Sequence, residues 1–118
     1  MNAAAKSVFI FGLYLVVIGL GLLIAPNATL GPLGFAPSTE VWPRLVGMLT
    51  LCLATYYVAA ARAGLIVFFR WTVTVRIGVF VVCGALVLLG IAPKPVALLG
   101  TVDLVAALWT AFALRTVG

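Results

Sequence analysis

The run from Pro95 to Leu114 constrains the whole chain, because it is apolar over the length of a bilayer and holds one carboxylate, Asp103. Lipid tails cannot solvate that group, so the run predicts a membrane-crossing helix that turns Asp103 toward neighbouring helices. On a helical wheel the Asp103 side carries Val96, Leu99, Gly100, Ala106, Ala107 and Thr110, which are mostly small or weakly polar. Leu104, Val105, Leu108 and Phe112 form the opposite, more apolar side, suited to lipid. The rest of the chain must then supply helices for Asp103 to face.

It has the composition to do so. Of 118 residues 66% are hydrophobic and 8% are charged, against about 25% charged in soluble domains. The apolar material falls into blocks long enough for the ~20 helical residues that cross ~30 Å of hydrocarbon. No period-two alternation suggests a membrane barrel. The fold class read from this pattern is all-α, an integral membrane four-helix bundle with antiparallel up-and-down spans. One domain, 1–118, is expected, with spans at about residues 7–25, 43–61, 71–91 and 96–114.

Residues 7–25 read as a retained span rather than a secretory signal, since Ile24-Ala-Pro-Asn-Ala28 lacks a small-x-small cleavage site. Gly12 and Gly19, one heptad apart, give this helix a seam for close packing. Residues 26–41 hold Pro26, Pro32 and Pro37 among Gly31, Gly34, Ser38 and Thr39, which is turn chemistry. Leu33 and Phe35 predict that this loop lies back on the bundle or the membrane surface. Pro43 suits a first helical turn, and Arg44, Gly47, Met48, Leu51, Thr55 and Ala59 share one face of the second span. Residues 65–91 are too long for one untilted span, so the third is expected from Trp71. Residues 65–70 are then interfacial, with Phe68 and Phe69 at headgroup level. Trp42, Arg70 and Trp71 are the expected interfacial anchors.

The net charge of +5 is dispersed among the spans, which makes it a topology signal and not a nucleic-acid patch. Lys6, Arg62, Arg70, Arg76 and Arg115 fall on one side, Arg44 and Lys94 on the other. That asymmetry predicts that both termini lie in the cytoplasm.

Little here suggests catalysis. The chain has no His, and its two acids, Glu40 and Asp103, fall in a loop and a span. No phosphate-binding glycine motif occurs, and Cys52 and Cys83 lack metal-ligand spacing, so neither a metal nor a cofactor is expected. The expected polar site is an intramembrane ion pair between Asp103 and Arg44. Asp103 lies ~10 Å inward from Val96, Arg44 only ~3 Å inward from Trp42, and an arginine side chain covers the difference. Arg76 would have to reach up from the cytoplasmic side.

The small multidrug exporters are similar in size and span count, but they carry a Glu on the first helix, where this chain has no acid. The chain resembles small bacterial four-helix proteins of the DoxX-like group in three features. These are its glycine-rich first helix, Trp42-Pro-Arg44-Leu-Val-Gly47 opening the second, and an Asp on the fourth. The resemblance implies the architecture, and membrane-protein partners for some members. Two functions follow as expectations. The first is a non-enzymatic accessory or scaffold subunit, in contact with membrane lipid and in a homo-oligomer or larger complex. The second is a small-molecule or proton-linked transporter or binding protein that uses Asp103.

Overall fold

The computed structural model describes residues 1–115, and the last three residues of the expected domain lie outside them. Four long helices occur, with no strand among the described residues: α1 (Ala3–Ile24), α3 (Trp42–Ala63), α4 (Ile66–Leu88) and α5 (Pro95–Leu114). A short helix, α2 (Pro26–Leu30), and a 3-10 turn (Gly31–Leu33) lie between α1 and α3. The long helices hold 22, 22, 23 and 20 residues, or roughly 30–35 Å each at 1.5 Å per residue. All four have the length and hydropathy of membrane spans. The chain is a helical membrane protein with four candidate spans.

Local chemistry sets their ends. Asn2 caps α1, its side-chain oxygen accepting from the Ala5 amide at 2.7 Å. Prolines open α2, α3 and α5, where a missing N–H costs nothing. Gly64 at φ +67° stops α3, and Gly90 at φ +75° follows α4, a backbone region that side chains disfavour. The helix that carries the expected third span, about 71–91, runs from Ile66 to Leu88. Residues 66–70 are helical, and Phe69, expected at headgroup level, is 0% exposed in the core. The break after Gly64 is tight enough for the helix to restart at once, and the burial of Phe69 draws its first turn into the bundle.

The spans pack as two pairs, α1 with α3 and α4 with α5, joined chiefly where α1 meets α5. α4 touches α1 and α3 only lightly. The result is a slab of 45 × 30 × 18 Å in which α1 is the most buried span. Glycines make the first pair close. A Cβ on Gly19 would lie 3.0 Å from the Gly47 carbonyl oxygen, and one on Gly12 would lie 3.0 Å from Val58 Cγ2. The seam expected on α1 is therefore the surface that α3 occupies. Gly100 plays the same part against Cys83 in the second pair.

The core lies at one end of the slab. Ala4, Ala5, Val8 and Phe11 of α1 meet Tyr57, Ala60 and Ala61 of α3, Phe69 of α4 and Ala113 of α5. Beyond Arg76, α4 has no buried residue. Toward the other end the slab is held by the loop. Asn27 and Ser38 exchange two hydrogen bonds, of 3.0 and 2.9 Å, and Gly34 at φ +93° lies against Pro95, a Cβ there standing 3.2 Å from Pro95 Cγ. The loop thus leans on the start of α5, with Leu33 and Phe35 half-buried.

Candidate functional site

The polar centre of the molecule is built around Arg76. With α4 starting at Ile66, this residue lies ~15 Å along the helix, near the middle of a span. It is 1% exposed. A charged arginine at a span centre costs about 2.5–3.5 kcal/mol to insert, so the surroundings must supply compensation. One helical turn back, Thr72 accepts from Arg76 Nε through its carbonyl at 3.2 Å and from Nη2 through its hydroxyl at 3.1 Å. Nη2 also donates to the Thr110 hydroxyl on α5 at 3.0 Å. The Arg76 Cζ sits 4.9 Å from the centre of the Phe11 ring and 5.9 Å from that of Tyr57, so π faces of α1 and α3 cover the cation. Nη1 is buried and has no hydrogen-bond partner among the described residues.

Ser7 and Thr110 share a 2.7 Å hydrogen bond in which either hydroxyl can donate, since each also has a backbone carbonyl one turn back as an acceptor, Ala4 at 2.7 Å and Ala106 at 3.2 Å. Thr110 accepts from Arg76, while Thr72 sends its own proton to the Phe69 carbonyl at 2.8 Å. A chain of bonds thus runs from α4 through α5 to α1. Arg76, Thr72, Thr110 and Ser7 are all buried, and each bond to a charged group contributes about 1.5–3 kcal/mol.

Asp103 lies on the interior side of α5 but outside this network. Gly100, Ala107 and Thr110 beside it are buried, whereas Val105 and Phe112 are 62% exposed, which is the two-sidedness read from the sequence. The carboxylate is half-buried and has no hydrogen bond or ion pair among the described residues. Tyr14 of α1, Tyr57 of α3 and Arg76 and Cys83 of α4 share its electrostatic surroundings. Helical side chains lean toward their own N-terminus, and α4 and α5 are antiparallel. Arg76 bends back to Thr72, and an Asp on α5 leans the other way, so the two charges stay within electrostatic range without touching.

The expected pair of Arg44 with Asp103 does not form among the described residues. Arg44 Nη1 donates instead to the carbonyls of Leu23 at 2.6 Å and Ile24 at 3.3 Å. The reason is the helix order: α3 packs on α1, and α1 rather than α3 lies beside α5. The last carbonyls of α1 lack intrahelical donors and carry the negative end of its dipole, so they hold the nearest cation. The expected anchors Trp42 and Trp71 are each 65% exposed, and Arg70 is exposed as well.

Arg76 is the residue that the sequence reading underrated. Its signal was the stripe of Phe69, Thr72, Arg76, Phe80 and Cys83, a mixed aromatic and small face set apart from Arg70. Among the described residues no three Cys, Asp or Glu side chains gather as metal ligands, and Cys52 and Cys83 are free thiols. Compared with protein-family models, curated proteins and solved structures, the chain matches none.

Proposed function

We propose that this protein is a non-enzymatic accessory or scaffold subunit of a larger assembly in a bacterial inner membrane, with both termini cytoplasmic. One observation carries the reading: Arg76, the best-buried charge, spends its bonds on Thr72 and Thr110 and so ties helices together. Asp103 makes no ion pair among the described residues, and Arg44 is committed to the end of α1. The four-span architecture agrees with the DoxX-like resemblance, and membership of that group belongs to the same reading. Isolation in mild detergent followed by native mass analysis tests it. A complex of fixed stoichiometry, well above the 12.3 kDa of one chain, is expected. A monomer with no companion at any detergent concentration would overturn the proposal.

A second reading is supported by Asp103, whose carboxylate has no partner among the described residues. In that reading the protein binds or moves a proton or a small cation through Asp103. Proteoliposomes holding the wild type and Asp103→Asn separate the two. Ion-driven or proton flux present in the first and lost in the second favours transport, and equal behaviour favours the scaffold.

A further inference from the structure

At the end of the slab that holds the core, the start of α4 and the end of α5 enclose a surface hollow of about 280 Å³. It is lined by Arg70, Val73, Ala111, Leu114 and Arg115. Its chemistry is divided. Two exposed guanidinium groups from different helices stand at the rim, and three apolar side chains make the floor. Arg115 lies with its Cζ 5.8 Å from the Phe112 ring centre, and neither arginine has a carboxylate partner among the described residues. The two side-chain acids are elsewhere, Glu40 in the loop at the opposite end and Asp103 between the helices.

We propose that this hollow seats one anionic phospholipid, its phosphate between Arg70 and Arg115 and the first part of an acyl chain against Val73, Ala111 and Leu114. Guanidinium groups match phosphate oxygens with paired donors, and two of them favour a headgroup of net negative charge over a zwitterion. Both belong to helix ends, where arginine stems run along apolar surface to the phosphate level. A neighbouring hollow gives the contrast. The groove of about 380 Å³ between α1 and α5 has no charged residue in its lining, so it offers acyl chains nothing that distinguishes one headgroup from another.

The test is native mass analysis of the delipidated full chain titrated with dioleoyl phosphatidylglycerol or dioleoyl phosphatidylcholine. One phosphatidylglycerol is expected to be retained in preference to phosphatidylcholine. Each arginine near the surface contributes about fivefold in affinity, so Arg70→Gln with Arg115→Gln should lose roughly 25-fold. Lys6→Gln with Arg62→Gln removes the same charge elsewhere and should change binding less than about twofold. Equal losses in the two double variants, or equal retention of the two lipids, would overturn the proposal. If the arginine variant does not fold, Ala111→Trp decides: it fills the floor and keeps both charges. Loss of the tight phosphatidylglycerol supports the site, and wild-type retention refutes it.

Discussion

Gly47→Ala should separate α1 from α3, and the structure sets the size of the effect. The added Cβ would stand 2.7 Å from the Gly19 carbonyl oxygen and from the Leu23 amide nitrogen, and 2.9 Å from Leu22 Cβ. Ordinary contact begins at 3.4 Å, so the helices must move apart by about 0.7 Å. The first two obstacles are backbone atoms, which no rotamer change can relieve. Overpacking of this kind costs about 1–3 kcal/mol, offset by the ~1 kcal/mol that alanine gains over glycine within a helix. A net loss of up to about 2 kcal/mol is expected. Gly84→Ala is the control, since no atom lies within 4 Å of its Cβ position and only the helical gain remains. The two variants should therefore differ by the overpacking cost alone, about 1–3 kcal/mol, or roughly 5- to 140-fold in the unfolding constant. Reversible unfolding by dodecyl sulfate in mixed micelles measures this. Finding Gly47→Ala as stable as Gly84→Ala would refute the close α1–α3 crossing.

Further expectations follow from the polar contacts. Thr110→Val removes an acceptor from Arg76 and the hydrogen bond to Ser7, and should cost about 1–3 kcal/mol in the same assay. Arg76→Met gives up its bonds to Thr72 and Thr110 together with the cost, about 2.5–3.5 kcal/mol, of placing a cation at a span centre, so the two partly offset; in its background Thr110→Val should cost much less, a coupling that a double-mutant cycle reads directly. Arg44→Leu and Asp103→Leu should add to within about 0.5 kcal/mol, because the two residues share no partner; strong mutual compensation would show that they pair. Asn27→Ala breaks both bonds to Ser38 and should speed amide hydrogen exchange across residues 27–40 while leaving the helix amides of residues 4–12 unchanged.

Span number and the inward face of α5 were legible because each follows from local patterning. Bilayer-length apolar runs have one economical backbone solution, and Asp103 among Gly100, Ala107 and Thr110 has one direction to face. Gly12 and Gly19 announced a close crossing for a similar reason, since only small residues admit another backbone. The partner of each helix was not legible, for it depends on how four similar surfaces share their contacts. Arg44 was read toward α5 because its reach allowed it; once α1 is known to be its neighbour, the free carbonyls of Leu23 and Ile24 are closer. Arg76 was misplaced by the start of α4. Putting that start at Trp71 leaves the arginine near a surface, whereas Ile66 makes it central, and the difference rests on Phe69 entering the core.

The bond between Ser7 and Thr110 joins residues 103 positions apart. At about 5–20 residues per second, roughly 5–20 s of synthesis separate the appearance of its two halves. Throughout that interval the α1 surface bearing Ser7 faces lipid or the insertion machinery without α5, and only from about its midpoint is α3 complete and able to settle on the Gly12 and Gly19 seam. Assembly is therefore ordered by the ribosome, with the first pair complete before the second exists. A chain stopped after α4 would leave Arg76 without Thr110 near the middle of a span, so the cost of burying that cation is fully compensated only when α5 arrives.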